Sequence, residues 1–584
     1  MPDFHHSKIH LECWTHRSVT QIDSSALDNH PASPAARLAW ILLILATLYL
    51  CYFHNLGAIG FVGPDEPRYA WIARDMVESG DWVTPLLYGK PWFEKPVLYY
   101  WGAALSFKVF GVSDAAARFP SALAALFVTL AMAWLAWRVY GAETARWLLL
   151  LLPTTIGMIG FSHAAATDMP FAGMLTIAMV FAARLLGLLP ASTSSTSVTS
   201  STSFNSLFFG FFLGLAVLAK GPAAIILSGG AVLLWAAFTK RWRDAFCCLH
   251  PIAIASFCLA ALPWYILCAH RNPDFFRIFI IEHNFKRYLT PEFQHIQPFW
   301  FYIPVLLIAF APWTLALLWS VGFSLFRRER KLQFSPASMF LFAWAIFCLF
   351  FFSISKSKLP GYILPAVPPI GLLLTLSCIR LAPEGQRTFR WIRFGFSFVG
   401  LPAAVALFWM GRSYAASIDQ SKKMISAGFI VLLLGLGNLL LANMVSRNRS
   451  LRYSAPLCVV PILILLCAFN PLARPWLTPD PSAKSLALEL ERIQSYHPPE
   501  TEFYVSSMNR GQQFGLNFYL HREIQSWNPQ SPKEGFLLLP LSAEWHCDLY
   551  VKAPWRCSFE PFELGSTGWT AYRVHRPRSA SLPH

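Results

Sequence analysis

The segment Gly63–Lys95 reads GPDEPRYAWIARDMVESGDWVTPLLYGKPWFEK and follows directly on the first apolar run of the chain. It places Asp65, Glu66, Glu94 and Lys95 at the edge of that run. Only 13% of the chain is charged, whereas 55% is hydrophobic. Because ionisable residues are costly to place beside or within a bilayer, this cluster indicates a functional site at the membrane edge.

Apolar runs long enough to cross a bilayer recur through most of the 584 residues. A transmembrane helix needs about 20 mainly apolar residues, and by this measure we expect about thirteen spans. The sequence therefore predicts a mostly α, polytopic membrane protein. The predicted spans lie near 36–53, 117–138, 144–161, 169–189, 204–219, 222–238, 245–269, 299–325, 337–353, 361–379, 394–410, 424–443 and 454–469.

The net charge of +16 is distributed in a way that argues against nucleic-acid binding. The basic clusters fall in every second short loop between the predicted spans. Such loops are cytoplasmic under the positive-inside rule. The N-terminus is then cytoplasmic and the C-terminus external. We expect a cytoplasmic tail over 1–35, a membrane domain over 36–470 and an external soluble domain over 471–584.

The first external loop, about 54–116, contains two predicted helices that lie flat on the outer face. The first begins near Asp65 and Pro67, which are good helix-start residues, and ends near Gly80. The second covers 97–110, with Lys95 at its start. The first helix is predicted from an amphipathic stripe formed by Tyr69, Ile72, Ala73, Met76 and Val77.

The C-terminal tail has the composition of a small soluble α/β domain. Its pattern predicts a helix over 482–496 and strands over 503–507, 514–520 and 536–539. Cys547 and Cys557 lie in this external tail, and an oxidising space would favour a disulfide between them. Two free cysteines are the alternative.

The predicted topology brings acids, cations and one histidine to the external face. Cations hold phosphate oxygens, and an acid can take a proton from an attacking hydroxyl. This combination suits a reaction on a phosphate-bearing lipid, and the chain shows no Walker-type loop and no dinucleotide-binding fingerprint. The external residues outside the first loop are Asp168, Lys220, His283, Arg287, Lys356, Lys358 and Tyr362.

Seven motifs, taken in order over about 37–470, resemble those of the bacterial GT-C integral-membrane glycosyltransferases. The set is most similar to the aminoarabinose transferases of lipid A modification and to their neighbours related to protein O-mannosyltransferases. The motifs are Asp65-Glu66-Pro67-Arg68-Tyr69-Ala70, Gly80-Asp81-Trp82, Phe93-Glu94-Lys95-Pro96, Thr167-Asp168, Lys220-Gly221-Pro222, Glu282-His283-Asn284 and Ser357-Lys358-Leu359-Pro360-Gly361-Tyr362.

The resemblance implies an enzyme that moves a sugar, with inversion, from a polyprenyl-phosphate donor to a lipid A-like glycolipid or another periplasmic acceptor. It implies a bacterial inner-membrane protein whose active site and C-terminal domain are periplasmic. It assigns the catalytic carboxylates to Asp65, Asp168 and Glu66. It assigns the binding of the donor phosphate to Lys95, Arg287, Tyr362, Lys220 and Arg68.

The resemblance also implies a metal site formed by Glu94 and His283. Two ligands are too few for a closed structural zinc site, so a zinc-like ion here stays an expectation. No cofactor is required beyond the lipid-linked sugar.

Structural roles compete with each of these assignments. Asp65 and Asp168 also suit helix starts, Glu94 and Lys95 could form an ordinary interfacial ion pair, and Tyr362 could belong to an aromatic belt. For the whole chain, transfer to a protein acceptor is one alternative function. A lipid-linked sugar flippase or transporter is an alternative from another class, although no inverted repeat is visible. The sugar, the acceptor and the oligomeric state are not readable from the sequence.

Overall fold

The structure, a computed structural model, describes most of the chain in ranges separated by gaps. The longer described ranges are 34–189, 198–290, 296–326, 335–381, 482–498, 501–528, 534–540 and 567–575. Short pieces are described at 459–460, 462–463, 466–467, 551, 555–557 and 562–564.

The described membrane part is helical. In chain order its helices are α1 (Pro34–Tyr52), α2 (Asp65–Ser79), α3 (Leu98–Phe110), α4 (Asp114–Tyr140), α5 (Ala142–Leu151), α6 (Ile156–Ser162), α7 (Asp168–Leu185), α8 (Val198–Lys220), α9 (Ala223–Thr239), α10 (Trp242–Phe246), α11 (Pro251–Arg271), α12 (Arg287–Leu289), α13 (Tyr302–Ala309), α14 (Thr314–Phe326), α15 (Pro336–Ile354) and α16 (Val367–Leu381). A π-helix, Arg277–Lys286, runs into α12, and a 3₁₀ segment, Pro360–Ala366, runs into α16.

Seven helices within these ranges are long and apolar enough to cross a membrane, and the bent pair α5–α6 makes an eighth. The chain is therefore a multi-pass membrane protein, as predicted. The ten predicted spans from 36–53 to 361–379 coincide with helices or broken helix pairs. The predicted spans 394–410 and 424–443, and most of 454–469, lie outside the described residues.

Two predicted spans are broken where a proline interrupts them. The span 144–161 divides into α5 and α6, which meet at 64° on either side of Pro153. The span 299–325 divides into α13 and α14 on either side of Pro312. Proline lacks the N–H that continues a helix and disfavours helical backbone in the residue before it, so both breaks follow from the sequence.

Both helices predicted for the loop over about 54–116, the first loop, are present. Four of the five residues of the apolar stripe of α2 are buried, all but Val77, and the helix ends at Gly80, whose left-handed φ of 75° suits glycine. Helix α3 begins at Leu98, so Lys95 lies in the turn before it. A short hairpin that the sequence did not predict, β1 (Leu86–Leu87) and β2 (Lys90–Pro91), connects the two helices.

The C-terminal part contains two helices and a mixed sheet, which confirms a small α/β region. The helices are α17 (Lys484–Ser495) and α18 (Arg510–Leu520). The strands are β3 (Glu502–Val505), β4 (Gln525–Ser526), β5 (Gly535–Pro540), β6 (Arg556–Cys557), β7 (Phe562–Glu563) and β8 (Trp569–His575). Their order is β4-β3-β5-β8-β6, with β7 also paired to β8, and β3 runs parallel to both of its neighbours.

The predicted strand over 514–520 is wrong, because these residues belong to helix α18. Phe514, Leu516, Phe518 and Leu520 alternate as in a strand. The helix start is set instead by Asn509, whose side chain accepts a hydrogen bond from the N–H of Gln512. A local cap thus outweighs a short alternating pattern.

Cys557 is disulfide-bonded. Its predicted partner, Cys547, lies outside the described residues. Cys51, Cys248, Cys258, Cys268, Cys348 and Cys467 are free thiols.

Helix α18 attaches the C-terminal part to the first loop. The hydroxyl of Tyr519 donates to the Asp114 carboxylate and accepts from the backbone N–H of Phe61, both at 2.7 Å. The ring of Phe61 lies 4.9 Å from that of Phe518, and Lys484 pairs with the same Asp114. These contacts join α18, α17, α4 and the turn that precedes α2.

We predict that Tyr519→Phe weakens this attachment. The change leaves the Phe61 N–H and one Asp114 oxygen without their partner, which should lower the free energy of unfolding by about 1–3 kcal/mol. Denaturant titration of the purified protein in detergent measures the loss. Tyr496→Phe is the matched control, because Tyr496 is 78% exposed and should lose almost nothing. Equal losses in the two variants would contradict the prediction.

Candidate functional site

A cavity of about 340 Å³ opens on the side of the molecule where the first loop meets α8, the π-helix and the loop after α15. Two lysines and a histidine share its wall with many apolar side chains. A cavity of this kind suits a ligand with an anionic group and a hydrocarbon chain. Its wall is formed by Lys95, Phe171, Lys220, Pro222, Ala223, Ile226, His283, Asn284, Phe285, Tyr288, Leu289, Phe351, Phe352, Ser355, Ser357 and Tyr362.

One series of charges leads from the surface to this cavity. The Asp65 carboxylate, with a side chain 47% exposed, contacts the guanidinium of Arg68. Arg68 also pairs with Glu94 at 3.1 Å, and Glu94 pairs with Lys95 at 3.4 Å. Since Lys95 lines the cavity, the sequence-predicted residues Asp65, Arg68, Glu94 and Lys95 form one connected network.

Arg68 is the centre of this network and is almost fully enclosed. Its guanidinium lies 5.4 Å from the rings of both Trp92 and Phe514, and its Nε donates to the carbonyl of Pro64 at 2.9 Å. Burial works against its charge, but Glu94 and Asp65 outweigh that cost, so the pKa of Arg68 is raised. Its contacts are those of a residue that orients Asp65 and Glu94 rather than of a free phosphate ligand.

A second acid–cation pair lies on the cavity wall. Asp168 begins α7, and it pairs with Lys220, which ends α8. An anion at a helix N-terminus and a cation at a C-terminus are each favoured by the helix dipole, so both ends support the pair. The Lys220 ammonium also lies 4.4 Å from the centre of the Tyr362 ring, a cation–π contact.

Gly361 explains how this pair fits beside the 3₁₀ segment. A Cβ at this position would stand 2.7 Å from Oδ1 of Asp168 and 2.8 Å from the ring of Phe161. The absent side chain therefore lets the backbone before Tyr362 approach the carboxylate.

Glu66, predicted as a catalytic carboxylate, has the contacts of a structural residue. Its two oxygens accept four hydrogen bonds of 2.7–2.9 Å, two from Arg118 and one each from the backbone N–H groups of Val62 and Ala165. The side chain is 11% exposed. We therefore revise its predicted role, because no oxygen is left to take a proton.

Arg118, the partner of Glu66, is a structural residue that the sequence analysis missed. Besides Glu66, it donates to the carbonyls of Leu56, Ile59 and Gly60 at 2.6–2.9 Å. It sits at the edge of the predicted span 117–138, where an arginine in an apolar run is the signal that could have revealed it.

The predicted metal pair of Glu94 and His283 stays a prediction, and the contacts of Glu94 do not favour it. Glu94 is surrounded by the cations of Arg68 and Lys95, which compete with a metal ion for its oxygens. Within the described ranges, no group of three or more His, Cys, Asp or Glu side chains could hold a metal ion. His283 lines the cavity from the π-helix instead.

Three further predicted cations belong to segments that border the cavity. Arg287 begins α12, directly after the π-helix, and its side chain lies outside the described part of the chain. Lys358 is buried, and its ammonium donates to the carbonyls of Gln297, at 3.1 Å, and Ser355. Burial and the nearby charge of Lys356 lower the pKa of Lys358. Lys358 thus holds two loops together at the cavity, while Lys356 is exposed.

We predict that Glu66→Gln lowers stability strongly. Removing one charge of a buried pair leaves Arg118 uncompensated, which should cost about 3–5 kcal/mol in the free energy of unfolding. Denaturant titration in detergent measures the effect. Glu489→Gln is the matched control, because Glu489 forms a surface pair with Arg492 at 3.6 Å and should change stability little. Unchanged stability in Glu66→Gln would return Glu66 to the catalytic candidates.

Comparison with known proteins agrees with the motifs. The profile of the family described as dolichyl-phosphate-mannose-protein mannosyltransferase matches residues 38–279. The undecaprenyl phosphate-alpha-4-amino-4-deoxy-L-arabinose arabinosyl transferase of Edwardsiella ictaluri is 34% identical over 56% of this chain and 57% of its own length. The Aeromonas salmonicida protein of the same name is 30% identical over 63% and 66%. The matched segments thus span less than two thirds of either relative.

The fold is matched over nearly the whole chain. The crystal structure of ArnT from Cupriavidus metallidurans bound to undecaprenyl phosphate superposes with a TM-score of 0.74, covering 94% of this chain and 99% of the other at 22% identity. The chain therefore has the fold of ArnT, the GT-C fold, and its sequence is similar to those of the undecaprenyl-phosphate aminoarabinose transferases and, over residues 38–279, of the protein mannosyltransferase family.

Proposed function

We propose that this protein is an inverting glycosyltransferase that uses a polyprenyl-phosphate-linked sugar. The observation that carries the proposal is the cavity in which Lys95 and Lys220 join an otherwise apolar wall. The two lysine side chains are only 12% and 11% exposed, so their charges act in a poorly solvated space. Such charges interact strongly with an anion that enters the cavity.

The donor combines the two properties that this cavity matches. Its phosphate needs cations, and its isoprenoid chain needs apolar surface. The names of the relatives specify an undecaprenyl phosphate donor carrying 4-amino-4-deoxy-L-arabinose. The matched fold was solved with undecaprenyl phosphate bound. We assign the same lipid class to this chain, with Lys95, Lys220 and Tyr362 around the phosphate.

Transfer needs one displacement at the anomeric carbon. An acceptor oxygen forms a bond to that carbon from the face opposite the phosphate, and the bond between the carbon and the phosphate oxygen breaks. The electron pair leaves with the polyprenyl phosphate, whose growing charge the two lysines stabilise. The acceptor proton passes to a carboxylate, and inversion follows from the single step.

Asp65 is the carboxylate we assign as base. It is about half exposed, and it is held by Arg68 at the start of α2. It therefore combines access for an acceptor with a fixed position. Asp168 has a different role in this proposal, because its contact with Lys220 orients the lysine toward the phosphate. We route no step through a metal ion, because the Glu94 carboxylate already pairs with Arg68 and Lys95.

The sidedness follows from the charge distribution of the sequence. The basic loops are cytoplasmic under the positive-inside rule, which puts the first loop, the cavity and the C-terminal domain on the periplasmic face of a bacterial inner membrane. We propose an acceptor on the same face, a glycolipid resembling lipid A, as the sequence resemblance implies.

Transfer to a protein is the second candidate, favoured by the match to the protein mannosyltransferase family over 38–279. The two candidates share the donor site and differ in the acceptor. An assay that offers lipid A and an unfolded Ser/Thr-rich polypeptide side by side separates them. A lipid-linked sugar transporter would move the donor without consuming it, so the same assay would show no product.

We predict that Asp65→Asn abolishes transfer while the protein still binds its donor. Asparagine keeps the size of the side chain and removes its ability to take a proton, so the loss should reach about 10²–10⁴-fold. Mass spectrometry of lipids that copurify with the wild type and with the variant tests donor and role together. Glycosylated polyprenyl phosphate enriched in the variant supports both. Bulk phospholipid alone in both samples would contradict the donor, and activity within a few-fold of wild type would remove Asp65 as base.

We predict that Lys220→Met weakens binding of undecaprenyl phosphate about ten- to hundred-fold, the effect of losing one charged hydrogen bond. Methionine preserves the apolar stem, so the cavity wall should survive. Binding to the protein in nanodiscs, measured by native mass spectrometry, reports the change. Lys356→Met is the matched control, because Lys356 is an exposed cation of a neighbouring loop and does not line the cavity. Equal effects of the two changes would contradict a specific phosphate site.

A further inference from the structure

Helix α18 of the C-terminal domain begins directly against the turn that leads into Asp65. At Gly511 a Cβ would stand 2.9 Å from the carbonyl carbon of Gly63, so the two backbones touch. Gly63 is only two residues before Asp65. The C-terminal domain therefore reaches the same turn that begins α2.

One turn further along α18, Phe514 contacts the charge network itself. The guanidinium of Arg68 lies 5.4 Å from the centre of the Phe514 ring and 5.4 Å from that of Trp92. A long arginine side chain held by aromatic rings loses rotamer freedom and gains a cation–π attraction. Arg68 is also the residue that contacts Asp65 and pairs with Glu94.

The position of Phe514 is fixed by contacts of three residues that follow it closely in the chain. The hydroxyl of Tyr519 is bonded to Asp114 and to Phe61. The amide of Asn517 donates to the hydroxyl of Tyr88 at 2.9 Å, and the ring of His521 lies 2.9 Å from the carboxylate of a glutamate in α2. A ring anchored by several independent contacts can serve as a fixed wall for its neighbour.

We propose that Phe514 is a positioning residue of the transfer reaction, acting on Asp65 through Arg68. The C-terminal domain is then a part of the reaction centre rather than a separate cap. This inference rests on the proposed function, because positioning has meaning only if Asp65 takes the acceptor proton. The donor site is predicted to be independent of Phe514, since that ring does not line the cavity.

The test compares Phe514→Leu with Phe518→Leu in full-length protein reconstituted into liposomes. The two changes are identical and lie on one helix, but Phe518 contacts Phe61 and Arg74 instead of Arg68. Transfer from undecaprenyl-phosphate aminoarabinose to lipid A gives kcat, and donor titration gives KM. Phe514→Tyr, which keeps the ring, is the conservative rescue.

We expect Phe514→Leu to lower kcat about tenfold, the effect of losing a desolvated cation–π contact, with the donor KM within about twofold of wild type. Phe514→Tyr should retain kcat, and Phe518→Leu should lower stability with kcat within a few-fold. Equal kcat losses in the two leucine variants would reduce Phe514 to a docking residue and overturn the inference. An unchanged kcat in Phe514→Leu, or a raised donor KM, would also overturn it.

A second experiment, which measures stability instead of activity, separates this inference from the proposed function. The free energies of unfolding of the wild type, Phe514→Leu, Arg68→Lys and the double variant form a double-mutant cycle. Non-additive losses of stability in this cycle report the contact between the two side chains. Additive losses would overturn the inference. If the wild type turns over no donor while the cycle is non-additive, the transferase proposal fails. The positioning role then fails with it, and only the structural contact between Phe514 and Arg68 is supported.

Discussion

The buried ion pair between Glu66 and Arg118 is the constraint on which the arrangement of the first loop depends. It joins the start of α2, the first turns of α4, the loop before Asp168 and the turn between α1 and α2. Two charges removed from water cost free energy unless every donor and acceptor is satisfied, and here the carboxylate alone receives four hydrogen bonds. Asp65 and Arg68 lie within two residues of this anchor, so their placement follows from it.

Helix ends position the other charged residues of the site. Asp65 and Asp168 stand in the first turns of α2 and α7, and Lys220 stands in the last turn of α8. In each case the sign of the charge matches the dipole of the helix that carries it. The protein thus keeps ionised groups at a membrane edge by pairing them with helix termini and with each other. Aromatic rings, rather than water, enclose the cations Arg68 and Lys220.

Much of this arrangement could be predicted from the sequence. Apolar runs identified the described membrane helices, and the amphipathic stripe from Tyr69 to Val77 identified α2. Motif resemblance selected Asp65, Lys95, Asp168 and Lys220, all of which the structure places in acid–cation contacts.

Two features could not be predicted from the sequence. The role of Glu66 depends on Arg118, which is 52 residues away in sequence, and the helix at 514–520 depends on a cap at Asn509 that competes with an alternating apolar pattern.

The apolar wall of the cavity has a consequence for how any lipid ligand exchanges. Ile226, Phe285 and Leu289 line the cavity and are also 47%, 59% and 62% exposed on the surface of the protein. The cavity is therefore continuous with a hydrophobic exterior, and a long-chain ligand can pass sideways between protein and bilayer without its hydrocarbon entering water. Occupancy is then governed by the mole fraction of the ligand among the surrounding lipids, and encounters occur by diffusion in two dimensions. Diluting the membrane with inert lipid would empty the cavity, whereas diluting the aqueous suspension would not.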